Sequence, residues 1–181
     1  MRHISKHLFK TMKLKSMTTS VVFALAFLTG CSGGKTMPDN SSDTSVPLQI
    51  AVGLQRTMCY GSCPSFNFQV LNDGRATLKA GRFTEEVLGR DIEQGNYNCT
   101  ISLEEIDAVT TYAESNGYLK LKERYDDKRV MDIPSTISII NGKTVFNRYN
   151  GPELDELYSM IEKLMINGDW LPQLPQPESQ K

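Results

Sequence analysis

The sequence predicts an α+β domain: an antiparallel sheet built from hairpins with two helices packed on one face, in the order ββ(β)αββα. Three observations carry that expectation. Apolar residues alternate with period two around residues 50–55 and 66–71, Asn-Asp-Gly and Asn-Gly steps separate strand-like runs, and two stretches repeat apolar residues at helical spacing. Short connections between strands favour antiparallel pairing, and a helix with one apolar stripe needs a sheet or another helix to cover it.

Ile50, Val52 and Leu54 alternate with Ala51, Gly53 and Gln55, and Phe66, Phe68 and Val70 alternate with Asn67, Gln69 and Leu71. Successive side chains of a strand point to opposite faces, so each run reads as a half-buried strand. Asn72-Asp73-Gly74 then joins the second run to Ala76-Thr77-Leu78 as a hairpin. A second hairpin runs from Thr136 to Ile140, through Asn141-Gly142, and on from Thr144 to Tyr149. Both residues of such a two-residue turn take positive φ, which Asn and Gly tolerate with little strain.

The first helix opens with a capping box. Ser102 accepts from the third helical N–H, and Glu105 is expected to reach back to the Ser102 N–H. Leu103, Ile106, Val109 and Ala113 share one face, and Gly117 closes the segment. The second helix starts near Gly151-Pro152, presents Leu154, Leu157, Tyr158, Ile161, Leu164 and Met165 to the core, and ends by Gly168.

Ahead of this domain, Arg2, Lys6, Lys10, Lys13 and Lys15 precede the apolar run Val21–Leu28, the arrangement of an export signal. A bilayer-spanning helix needs about 20 apolar residues, so the run is too short to cross. Met12 is an alternative start that keeps Lys13 and Lys15 before it. Leu28-Thr29-Gly30-Cys31 resembles a bacterial lipobox. That resemblance implies a diacylglyceryl group on the Cys31 sulfur, cleavage before Cys31, and an acylated Cys31 as the mature N-terminus. Each buried methylene contributes about 0.8 kcal/mol, so two or three acyl chains anchor stably where one does not. Ser32 rather than Asp follows, which resembles outer-membrane sorting. The expected address is the cell envelope, lipid-anchored in the outer membrane and facing the periplasm.

The expected organisation is therefore a signal peptide at 1–30, lipidated Cys31 with a flexible tether at 31–47, a single domain at 48–170 and a disordered tail at 171–181. The tether is dense in Gly, Ser, Asp and Pro and has no apolar period. A flexible chain of that length reaches roughly 20 Å. Trp170, followed by Leu171-Pro172, is expected to fold back over the core before the Gln- and Pro-rich tail.

The formal charge of the whole chain is -1, but the leader holds basic residues and no acid, so the mature part is more acidic. No basic patch with interleaved aromatics stands out, which argues against nucleic acid as a partner. The chain has two histidines, His3 and His7, both in the leader. Their removal takes the imidazole from Ser-His, Cys-His and His-ligated zinc chemistry. Carboxylates remain: Asp126, Asp127 and Asp132 near Tyr125, and the pair Glu85 and Glu86. Adjacent acids on a strand or loop point apart, and Lys128 and Arg129 interrupt the first group, so a solvated surface loop is expected rather than a glycosidase pair or calcium site.

Met58-Cys59-Tyr60-Gly61-Ser62-Cys63-Pro64 lies between the first two strands. Two cysteines so spaced can form a disulfide, bind a soft metal or exchange electrons, and export favours the disulfide. Cys99 is left over; it is a buried free thiol, or it takes Cys59 or Cys63 as its partner. Cys-x-x-x-Cys-Pro is also similar to the copper motif of the Sco family of thioredoxin-like chaperones, with Met58 as a soft thioether. That family needs a distal His, absent from the mature chain, and a helix after the second Cys, where Phe66–Val70 has strand period instead.

Together, Cys59-x-Gly61-x-Cys63-Pro64-x-Phe66, Asn72-Asp73-Gly74, Tyr118-Leu119-x-Leu121-x-x-x-Tyr125, Asp132-x-Pro134 and Tyr149-x-Gly151-Pro152 resemble the bacterial family known as domain of unknown function 6438. The resemblance covers Gln49 to Ile166. It implies export or lipid anchoring and brings no activity, cofactor or catalytic residue. Phe66 stands where an aromatic, often Tyr, is usual, and Cys99 is a feature of this chain.

The functional expectation is a non-catalytic binding or structural module of the cell envelope, held to the membrane through Cys31, with an unidentified envelope protein or glycan as partner. Cys59 and Cys63 are its disulfide candidates, and no catalytic, cofactor-binding or metal-ligating residue is assigned. The alternative is a thiol-disulfide redox or Cu(I)-binding protein using Cys59 and Cys63.

Overall fold

The computed structural model describes residues 47–174. The signal peptide, Cys31 and the tether up to residue 46 lie outside the described residues, as do residues 175–181. The described chain is α+β, a mostly antiparallel eight-stranded sheet with three α-helices. In chain order the elements are β1 (Ile50–Arg56), β2 (Phe66–Leu71), β3 (Arg75–Ala80), α1 (Thr84–Leu88), β4 (Gly95–Thr100), α2 (Leu103–Ser115), β5 (Arg124–Tyr125), β6 (Thr136–Ile140), β7 (Lys143–Asn147), α3 (Asp155–Asn167) and β8 (Leu171–Pro172).

Across the sheet the strands run β5-β7-β6-β1-β2-β3-β4-β8, and only the β5–β7 pair is parallel. The two hairpins expected from sequence are β2–β3 and β6–β7. In the second, Asn141 and Gly142 have φ of 48° and 79°, the positive values a tight hairpin requires. Strand β1 joins the hairpins by pairing antiparallel with both β2 and β6. Two-residue strands finish both edges, which leaves little unpaired backbone to recruit another chain.

Period-two burial follows the sequence pattern. Phe66, Phe68 and Val70 are buried while Asn67, Gln69 and Leu71 are half-exposed, and Ala76, Leu78 and Ala80 are buried while Arg75, Thr77 and Lys79 are exposed. The buried stripe belongs to one hydrophobic cluster with Ile106, Val109 and Ala113 of α2 and Leu157, Ile161 and Met165 of α3. Full burial of a Leu or Phe side chain contributes about 1.5–3 kcal/mol, and this cluster supplies the principal drive to fold. Helices α2 and α3 touch each other and β1. Trp170 closes the core as expected: its ring meets Phe68 edge-on at 5.8 Å, and its indole N–H donates to the Met165 carbonyl at 2.8 Å.

The order departs from ββ(β)αββα by one helix and three strands. Helix α1 and strand β4 follow β3, β5 precedes β6, and Leu171–Pro172, read from sequence as the start of the tail, form β8 against Tyr97 and Asn98. None of these segments carries a long apolar period: α1 has five residues, and β4 alternates Tyr97 and Cys99 with Asn96, Asn98 and Thr100. They form because neighbouring strands offer hydrogen bonds and cover. The α2 cap also differs in one half. Glu105 N–H donates to Ser102 Oγ at 3.3 Å, but the return bond runs from the Ser102 hydroxyl to Glu105 Oε2 at 2.7 Å. Helix α3 starts at Asp155, past Gly151-Pro152. Among the described residues, no helix is long and apolar enough to cross a membrane.

Candidate functional site: the disulfide loop and the polar sheet face

Residues 57–65 connect β1 to β2 and are fastened at both ends. At the start, Thr57 N–H donates to the Ser135 carbonyl at 3.0 Å, and Ser135 N–H donates to Thr57 Oγ1 at 2.8 Å. At the exit, Ser65 N–H donates to the Arg82 carbonyl at 2.9 Å, and Gly81 N–H donates to the Ser65 carbonyl at 2.9 Å. Between these anchors a disulfide joins Cys59 and Cys63, whose Cα atoms are 5.6 Å apart. Pro64 and Ser65 lead from it straight into strand β2, not into a helix. Cross-linked and pinned, the loop holds Tyr60 with 98% of its surface exposed and Met58 with 63% exposed. Large apolar side chains on a constrained loop can bind without losing much conformational entropy.

The loop borders the sheet face opposite the buried stripe. On that face the register sets Ile137, Gln55, Asn67, Lys79 and Asn96 in one transverse row. A second row runs through Ile139, Gly53, Gln69, Thr77, Asn98 and Leu171. Strand spacing of about 4.8 Å sets the amides of Gln55, Asn67, Asn96, Gln69 and Asn98 and the Thr77 hydroxyl at regular intervals, a polar ladder with Ile137, Ile139 and Leu171 at its ends. Two depressions lie along it. A cleft of about 420 Å³ is lined by Gln55, Met58, Asn67 and Lys79 and also by Phe66 and by Arg56, which is paired with Glu162 at 2.7 Å; a smaller one of about 100 Å³ is bounded by Asn67, Gln69, Thr77, Lys79, Asn96 and Gln173. Asn67 and Lys79 line both, so the depressions adjoin. Gln173 Nε2 donates to Asn98 Oδ1 at 2.6 Å, which ties the chain after β8 to the end of the ladder.

Charge is distributed unevenly. Every Asp and Glu of the described residues lies outside the eight strands, whereas Arg75, Lys79 and Arg124 stand on the polar face. Arg75 is taken by Asp73 at 2.7 Å, and Arg124 reaches Asp126 at 3.2 Å while covering the Phe146 ring. Lys79 has no carboxylate partner among the described residues. The acidic loop expected from sequence is internally neutralised. Asp126 accepts from Arg148 at 2.6 Å, and Asp127 accepts from Arg129 at 2.6 Å, which holds the Asp127 carboxyl below its usual range. Asp132 belongs to none of these pairs. Glu85 and Glu86 fall in the first turn of α1.

Of the cysteine pairings left open by sequence, the structure joins Cys59 to Cys63 and leaves Cys99 a free, half-buried thiol. Burial pushes that thiol up to about 11, nearby Asp169 adds to the rise, and Arg90 opposes it. A thiol so placed carries little thiolate at neutral pH and is a poor nucleophile. Cys31, the lipidation candidate, lies outside the described residues. No group of three His, Cys, Asp or Glu side chains is placed to hold a metal among the described residues.

The polar ladder is the feature that sequence reasoning missed. Asn67, Gln69 and Thr77 read only as positions in predicted strands, and Lys79, Asn96 and Asn98 belonged to no predicted strand. The signal was the run of Asn, Gln and Thr at alternate positions, where an ordinary exposed face would mix Lys and Glu.

No curated protein and no solved structure matches the chain. The model of one family, described as Domain of unknown function (DUF6438), matches residues 50–165. That span holds the disulfide loop, both hairpins, α1, α2 and all of α3 but its last two residues, and the chain belongs to this family.

Proposed function

We propose that the protein is a non-catalytic binding module of the cell envelope, anchored through lipid on Cys31 at the outer membrane and facing the periplasm. In this reading α2 and α3 both cover the buried stripe, and the opposite face of the sheet meets the ligand. One observation carries it: the two depressions on that face share Asn67 and Lys79 and make one groove beside a pinned loop. Ligand sites are concave, with a few polar groups fixed on a rigid scaffold. The path from Cys63 into strand β2 favours a structural role for the bridge over thiol exchange or Cu(I) binding.

Two variants of the full chain in bacterial cells test the reading. Cys31→Ser is expected to move the protein from the membrane pellet to the soluble fraction, and continued sedimentation with membranes would defeat the anchor. A photo-crosslinking amino acid at Thr77, on the polar face, is expected to capture envelope material that the same group at Glu104, exposed on α2, does not. Equal capture from both positions would defeat the assignment of the face.

A further inference from the structure

The groove has the chemistry of a site for an acidic polysaccharide, and this inference rests on the binding-module reading. We propose that an extended, carboxylate-bearing glycan lies across strands β1 to β4, with an acidic sugar at Lys79 and a sugar ring against Met58.

The ladder presents Gln55, Asn67 and Asn96 in one row and Gln69, Thr77 and Asn98 in the next. An amide offers two donor protons and an acceptor oxygen side by side. A sugar hydroxyl is itself donor and acceptor, so neighbouring amides satisfy successive hydroxyls of either polarity. Four strands at about 4.8 Å spacing give a row about 14 Å long, suited to a short run of pyranose rings. Met58 supplies the apolar part: a sugar ring has C–H-lined faces, and Met58 lines the larger cleft with 63% of its surface exposed, next to the disulfide-closed turn.

A protein partner fits less well. Strands β1, β2 and β3 are already hydrogen-bonded on both sides, so no backbone remains there for an added strand. Between Gln55 and Asn96 and between Gln69 and Asn98 the rows hold no large apolar side chain; the apolar groups lie at the row ends, Ile137, Ile139 and Leu171, and in the larger cleft, Met58 and Phe66, whereas protein interfaces draw most of their affinity from central buried aromatic and apolar anchors. Charge selects among glycans. Lys79 stands at the join of the two depressions without a carboxylate partner among the described residues, on a sheet whose strands carry no acid. A cation so placed complements a carboxylate on the ligand.

The full chain, purified in detergent, is titrated by calorimetry with tetragalacturonate, tetraguluronate and a hyaluronan hexasaccharide, each beside its carboxyl-reduced form. At least one acidic oligosaccharide is expected to bind about tenfold tighter than its reduced counterpart, as one charge-assisted hydrogen bond would give. Lys79→Gln should erase that difference, Asn67→Ala and Met58→Ala should weaken both forms, and Glu104→Gln should change neither. Circular dichroism of each variant separates lost binding from lost folding. Failure of every acidic oligosaccharide to bind, or equal binding by Lys79→Gln, overturns the proposal. Equal competition by a polyglutamate peptide overturns it in favour of an acidic protein segment. If the Thr77 crosslinker still captures envelope material while no oligosaccharide binds, the glycan inference falls and the binding module stands. If both are silent, both fall.

Discussion

Ser65 and Gly81 touch backbone to backbone at the exit of the disulfide loop. Gly81 N–H donates to the Ser65 carbonyl at 2.9 Å, and a Cβ at position 81 would lie 2.5 Å from both the Ser65 carbonyl oxygen and Ser65 Oγ. Fully buried Thr84 sits beneath them. Its Oγ1 accepts from Gly81 N–H at 3.0 Å and turns its single proton toward the Ser65 carbonyl at 3.0 Å or the Gly81 carbonyl at 3.1 Å. This cluster fastens Ser65, in the lining of the larger cleft, to the chain just after β3.

Gly81→Ala is therefore expected to destabilise by about 1–3 kcal/mol, because the new methyl meets backbone that packed strands hold in place. Thr84→Val keeps the shape but strands buried polar groups, a cost of about 1–3 kcal/mol. Urea denaturation of the folded protein measures both, and an unchanged midpoint for Gly81→Ala would contradict the contact.

Removing the bridge with Cys59→Ser and Cys63→Ser together is expected to cost about 2 kcal/mol, the chain-entropy value for so short a loop. The fold should survive, since its core lies elsewhere. Resistance of the bridge to mild reductant in the native protein is the expected companion result. A pair that exchanges readily with a thiol buffer, or a reduced pair that takes up one equivalent of Cu(I), would transfer the assignment to thiol chemistry.

Tyr118 and Ser138 form a hydrogen bond of 2.8 Å between fully buried hydroxyls. Tyr118→Phe leaves the Ser138 hydroxyl without that partner and is expected to lower stability by about 1–2 kcal/mol. Combining it with Ser138→Ala should cost less than the sum of the two single changes, because no polar group is then left unpaired. Strict additivity in the denaturation cycle would show that the bond carries no weight.

Stability should also fall in alkali. Burial pushes the Cys99 thiol from 9.0 to about 11 and the Tyr118 phenol from 10.0 to about 12. Both are neutral when protonated, and both hold the proton more tightly folded than unfolded. Their contribution is complete below the unfolded values and is lost as pH rises, over about 9 to 11 for Cys99 and about 10 to 12 for Tyr118. Thermal melts from neutral pH to pH 12 should show the decline, and Cys99→Ser should delay its onset. A wild-type melting temperature that stays flat across this range would refute the assignment.

The strands and helices legible in the sequence were those with strong local periods. Phe66-x-Phe68-x-Val70 becomes β2, Asn141-Gly142 becomes a tight turn, and the stripe from Leu157 to Met165 becomes the buried side of α3. Strand β4 was illegible because Gly95, Asn96 and Asn98 have low strand propensity, and the backbone of β3 is what holds them extended. The pairing of Leu171–Pro172 with Tyr97 and Asn98 was illegible for the same reason.

By itself, then, the sequence determined the α+β class, the two hairpins, the principal helices and the family, since each rests on residues close together in the chain. Tertiary structure decided which cysteine stays free, how strand β1 joins the two hairpins, and that Gln55, Asn67, Lys79 and Asn96 fall into one row. Those outcomes depend on register between distant strands. A slip of one residue would send the ladder into the core, and only burial of Phe66, Phe68, Leu78 and their neighbours holds it outward.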